Sequence, residues 1–292
     1  MDRNPASRCE RIDVRGLQYN IRHWGPDGAP LLFMLHGWMD SSPNFQFVVD
    51  AFESAWHVVA PDWRGFGASE WLNRPYWFAD YYGDLERILD HYSPDEPALL
   101  VGHSMGAAVA SIYAGVRPAR VARLAMLDFL GLQPTRPGDA PARIANWLDA
   151  LKDAPRMRSY RDPAELARRL VLADPRLRPE RASFLAHNGS RVRADGDVEM
   201  ACDAWHKVIS PYLYQVEEVM ACWRAVEAPV LLMIADQGYV RDRFANAPDD
   251  YQRRVACFRH LQIVQVADAG HNVQHDQPEQ VALALERFLL GD

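Results

Sequence analysis

The sequence predicts an α/β protein, a doubly wound and mostly parallel sheet interrupted by one helical insertion. Three observations carry that expectation. Short continuous apolar runs alternate with longer stretches of helical periodicity. The alternation stops at Gly131 and resumes after about Ala225. A serine bracketed by glycines, Gly102-His103-Ser104-Met105-Gly106, stands where an apolar run gives way to a helical one.

Ile12–Val14 and Leu17–His23 read as an opening hairpin. Leu31–Leu35, Val58–Ala60, Ala98–Val101 and Leu124–Leu127 are continuous apolar runs, the pattern of strands covered on both faces. Between them Asn44–Phe52, Tyr76–His91 and Met105–Val116 read as helices. Val230–Ile234 and Leu261–Val266 resume the strand series, and Pro278–Leu290 closes the chain as a helix with proline in its first turn. The interrupting segment is rich in proline and arginine. It offers helices at Ala142–Leu151 and Pro163–Leu172 but no convincing buried strand. Residues 1–130 and 226–292 are thus expected to form the core domain, and 131–225 an inserted helical one.

A chain of 292 residues, 49% hydrophobic and 24% charged, can bury one large core. A net charge of −7 argues against a nucleic-acid partner, which calls for a basic face. Cys9, Cys202, Cys222 and Cys257 are widely spaced, which suits reduced thiols rather than a disulfide framework or a zinc site. The polar stretch Met1–Arg11 has no apolar signal core, and no run approaches a membrane span. A cytoplasmic protein with no membrane partner is the expectation.

The chemistry gathers at predicted strand ends, where ligands bind in an open parallel sheet. Glycines two before and two after Ser104 allow a sharp strand-to-helix turn that lifts the hydroxyl clear of the sheet. A serine hydroxyl is a poor nucleophile near neutral pH; it needs a base in hydrogen-bond reach and a carboxylate to orient that base. His271, in Asp268-Ala269-Gly270-His271, follows the last strand, and Asp128 ends the strand after Ser104. The backbone amides of Met105 and of Trp38, in Leu35-His36-Gly37-Trp38, are placed to receive a developing oxyanion. In Pro61–Ser69, Asp62 and Arg64 are expected to tie down loop backbone.

Taken together, Leu35–Trp38, Pro61–Ser69, Gly102–Gly106 and Gly270–His271 resemble the α/β-hydrolase superfamily in order and spacing. The resemblance covers nearly the whole chain outside 131–225 and implies that this segment is a cap. It also implies a serine hydrolase acting on a small carboxylic ester, thioester or lactone without a cofactor. Carbon–carbon bond hydrolysis by the same residues is open. The acid departs from the common pattern. Many relatives carry it nine residues after the proline corresponding to Pro229, where this chain has Gly238. Other branches, haloalkane dehalogenases among them, place it one strand earlier, where Asp128 stands. Asp128 is the favoured acid and Asp236 the alternative.

The remaining candidates have structural readings. His36 is expected to hydrogen-bond its loop, His103 to support the turn, and Asp268 to sit in a turn. His275, four residues after His271, lacks a third partner for a metal. Trp147, Trp205, Tyr212, Tyr214 and Trp223 either line an apolar pocket or form the core of the insertion. Two other functions fit parts of the pattern. One is a cofactor-independent dioxygenase of a 3-hydroxy-4-quinolone type substrate, which the sequence resembles at Gly37-Trp38, Trp63-Arg64-Gly65 and His103-Ser104. The other is a non-catalytic binder of a small molecule.

Overall fold

The computed structural model describes residues 7–291; the polar start at residues 1–6 lies outside them. The opening hairpin is β1 (Arg8–Val14) and β2 (Leu17–Trp24), followed by β3 (Leu31–Leu35) and, after α1 (Gln46–Ala51), by β4 (His57–Pro61). Then come α2 (Phe78–Tyr92), β5 (Ala98–His103), α3 (Met105–Val116) and β6 (Val121–Leu127). The interrupting segment holds α4 (Ala140–Ala150), β7 (Ser159–Tyr160), α5 (Pro163–Ala173), α6 (Pro179–Asn188), β8 (Ser190–Val192), β9 (Val198–Met200) and α7 (Val216–Arg224). The chain ends with β10 (Val230–Ala235), α8 (Tyr239–Phe244), α9 (Pro248–Val255), β11 (Leu261–Val266), α10 (Val273–Asp276) and α11 (Pro278–Leu290).

Eight strands form one sheet in the order β1-β2-β4-β3-β5-β6-β10-β11. The β1–β2 and β2–β4 pairs are antiparallel, and every later pair is parallel. The central strands β3, β5, β6 and β10 are nearly all apolar because both faces are covered. On one face Leu100, Leu124 and Leu232 pack with Leu85 of α2, Val109 of α3 and Trp223 of α7. On the other, Met34, Val101 and Leu231 pack with Val48 of α1 and Leu285 of α11. The parallel register sets Leu35 beside Gly102 and His103 beside Leu127, so the ends of β3, β5 and β6 open at one edge of the sheet.

Residues 131–225 correct the expectation of a purely helical insertion. Besides α4–α6 they form a small antiparallel sheet, β7-β9-β8. Its strands are only two or three residues long, too short to register as a period-2 pattern. Tyr160, Leu166, Ala186 and Val198 make a separate small core there. The last helix, α7, lies against α3 instead. Trp223 Nε1 donates to Ser111 Oγ at 3.0 Å, and a side chain on Gly115 would collide with the Cys222 carbonyl. Helix α5 starts as its sequence requires: Asp162 accepts the Glu165 amide at 2.7 Å, and Pro163 needs no donor at the first position.

Candidate active site

Ser104 sits between β5 and α3 with φ 50 and ψ −110, a conformation costly to any residue with a Cβ. The surrounding packing holds it there. A Cβ on Gly102 would lie 2.5 Å from the Ala107 nitrogen, and one on Gly106 would collide with the Leu35 carbonyl. The two glycines are therefore demanded by space. Met105 is the first residue of α3, where an N–H has no partner within the helix. The chain at Gly37 passes close by: a Cβ there would come 3.3 Å from Ser104 Cβ. Trp38, the next residue, is 53% exposed and is among the residues lining the cavity beside Ser104.

His271 Nε2 lies 3.0 Å from Ser104 Oγ, and its Nδ1 lies 2.9 Å from Asp128 Oδ2. A carboxylate only accepts, so the imidazole carries its proton on Nδ1 and offers the Nε2 lone pair to the serine hydroxyl. Asp128 is fully buried. Its Oδ1 accepts the Ala235 amide at 3.2 Å, and its Oδ2 also accepts the Tyr239 amide at 2.6 Å. Three donors on one buried carboxylate fix its place.

Asp236 lies elsewhere in the network. Its two oxygens accept the Asp268 and Ala269 amides at 3.0 and 3.1 Å, which hold its carboxyl below the usual range. It fastens the turn that leads to His271. His103 reaches the same segment: its Nε2 donates to the His271 carbonyl at 2.9 Å. Burial, then His271, push the His103 pKa well down, so the ring is neutral. His36 accepts the Trp63 amide on Nε2 at 2.9 Å, and burial lowers its pKa to about 4. Asp62 accepts amides from Ser42 (2.7 Å) and Ala68 (3.0 Å). Arg64 departs from its expected role. It does not tie loop backbone but pairs with the buried Asp84 and with Asp80 of α2.

A cavity of about 310 Å³ opens beside Ser104 and His271. Leu166, Leu170, Leu177, Leu185 and Met200 of the inserted segment line it, together with Met39 and Pro43 of the loop after β3. None of the five aromatic residues singled out in the sequence lines it. Trp223 is in the main core and Tyr212 is 73% exposed. Trp147 lies against Trp77 with the rings tilted and their centroids 6.5 Å apart. Sequence reasoning also missed the Tyr239 amide; its only signal was the position of Gly238 one residue before. Among the described residues no group of three or more His, Cys, Asp or Glu could hold a metal. Nor is any helix among them long and apolar enough to cross a membrane.

The sheet order, with a serine on the turn after β5 and a histidine after β11, defines an α/β hydrolase, and the chain belongs to the alpha/beta hydrolase fold family, whose model matches residues 30–278. It is 26% identical to a serine hydrolase-like protein of Danio rerio, over 91% of this chain and 83% of that one. It is 28% identical to the lipase LipV of Mycobacterium tuberculosis (strain ATCC 25618 / H37Rv), over 94% and 98%. Among solved structures it is similar to the thioesterase domain from the curacin biosynthetic pathway, at TM-score 0.84 and 25% identity, over 97% of this chain and 99% of that one.

Proposed function

We propose that this protein is a serine hydrolase that cleaves a small carboxylic ester, thioester or lactone through an acyl-enzyme on Ser104. One observation carries the reading. A single imidazole, His271, stands between Ser104 Oγ at 3.0 Å and the buried Asp128 at 2.9 Å. The similar proteins include a lipase and a thioesterase domain, names that denote acyl-transfer chemistry.

In this reading Ser104 Oγ attacks the substrate carbonyl carbon while its proton passes to His271 Nε2. The carbonyl oxygen becomes an oxyanion facing the Trp38 and Met105 amides. The bond to the leaving oxygen or sulfur breaks, and His271 returns the proton to it. Water then attacks the acyl carbon, giving its proton to His271. The carboxylic acid leaves and Ser104 regains its proton. Asp128 remains ionised and steadies the imidazolium formed in each half.

A panel of p-nitrophenyl esters of graded chain length, with mass spectrometry of the trapped intermediate, tests the proposal. The acyl mass is expected on the peptide carrying Ser104 and is lost in Ser104→Ala. An adduct on any other residue overturns the assignment.

A further inference from the structure

The turn that carries His271 is held at both ends. The core holds its entry: Asp236 accepts the Asp268 and Ala269 amides, and His103 donates to the His271 carbonyl. Beyond His271 the chain makes α10, a helix of four residues, and the last of them turns back. Asp276 Oδ2 accepts the Gly270 amide at 2.7 Å, which closes residues 270–276 into a loop around the base.

A helix this short cannot satisfy its own last carbonyls. The inserted segment supplies the donor. Arg181 of α6 donates through Nη1 to the His275 carbonyl, and the same nitrogen lies 3.4 Å from the Asp276 carbonyl. The Phe47 ring lies 5.3 Å from the guanidinium carbon. Arg181 is only 9% exposed, whereas the side chain of its ion-pair partner Glu279, 3.4 Å away, is 70% exposed. A pair with so exposed a partner contributes little. The buried bonds of this guanidinium therefore go to the end of α10.

Asp276 feels the same arginine. Its Oδ1 is buried without a hydrogen-bond partner. Burial pushes its carboxyl up, and Asp174 adds to the push; the Gly270 amide and the charges of Arg176 and Arg181 act against it. Arg181 thus favours the ionised carboxylate, the form that only accepts, at the Gly270 amide. Leu185 of α6 and His275 of α10 both line the cavity, so the wall of the cavity and the base share one support.

We propose that Arg181 is a positioning residue for His271, acting from the inserted segment through the carbonyls of α10 and through Asp276 on the turn at Gly270. The inference rests on the hydrolase reading and adds to it. The inserted segment shapes the cavity and also holds the base at its working distance from Ser104.

Two variants test this, each checked by circular dichroism. Arg181→Met keeps much of the bulk and removes every donor; Arg181→Lys keeps the charge but offers one nitrogen in place of a planar fork. With a p-nitrophenyl ester that the wild type turns over, Arg181→Met is expected to lower kcat at least about tenfold while KM stays within about threefold, because a displaced base loses rate and not binding. Arg181→Lys is expected to recover at least about threefold of that loss. The proton between His271 Nδ1 and Asp128, read as a far-downfield line in proton NMR, should shift or broaden in Arg181→Met; a residue that merely supported the fold would leave it unmoved. Unchanged kcat in the folded methionine variant overturns the proposal. So does a loss carried by KM, which would put Arg181 in the binding of substrate, or a lysine variant no better than the methionine one. If Arg181→Met does not fold, the lysine variant is read alone. A kcat about threefold or more below wild type at unchanged KM then supports the proposal, and wild-type kcat overturns it. If the wild type turns over no ester and a fluorophosphonate does not label Ser104, the hydrolase reading itself fails. The NMR line still reads the placement of His271, and an identical line in wild type and variant overturns the positioning role.

Discussion

Gly238 and Asp128 occupy adjoining space: a Cβ built on Gly238 would lie 2.8 Å from Asp128 Cγ and closer still to Oδ2. The glycine has φ −108, a conformation open to any residue, so it answers to packing and not to backbone freedom. Gly238→Ala is expected to push the Asp128 carboxylate off His271. Displacing a positioned group by about 1 Å costs on the order of 100-fold in turnover. Steady-state kinetics beside a thermal melt check this; unchanged kcat would show that the carboxylate does not need its present place.

Asp128→Asn should lower kcat about 10,000-fold, because an amide facing Nδ1 favours the wrong imidazole tautomer. Asp236→Asn should leave kcat within a few-fold, since Asp236 bonds the Asp268 and Ala269 amides and not His271. Both are read after circular dichroism confirms folding. The opposite order of effects would move the acid to the later strand.

Stability should fall as the pH drops below about 6.5. Burial holds His36 neutral, with its pKa lowered to about 4, and lowers His206 to about 3. Between those values and the ordinary pKa of about 6.5 the unfolded chain binds the extra protons, so unfolding becomes easier as pH falls. His36 alone contributes on the order of 3 kcal/mol across that window. Urea melts between pH 8 and pH 4.5 measure it. A stability that is flat or rising on acidification would contradict the buried neutral rings.

Leu170 lines the cavity from α5. Leu170→Trp should shorten the longest acyl chain accepted while acetate esters remain substrates, because the added ring fills space without touching Ser104. Exchange of residues 131–225 for those of a relative should likewise shift chain-length preference. An unchanged preference in both would place specificity on the sheet side.

The order of strands and helices was legible because a strand buried on both faces must be apolar at every position, and β3, β5, β6 and β10 are nearly so. The Ser104 turn was legible for a local reason. Its two glycines answer to contacts made within a few residues or with the adjoining strand β3. Asp128 could be ranked above Asp236 by position, but both lie just past strand ends. Only the pairing of β6 with β10, which sets Asp128 beside the Ala235 and Tyr239 amides, distinguishes their surroundings. The small sheet in the insertion was invisible, since strands of two or three residues have no period of their own. Asn44 and His275, more than two hundred positions apart, line the one cavity beside Ser104. Periodicity and motif spacing act over a few residues, so neither can bring such residues together; the packing of α10 beside the loop after β3 does.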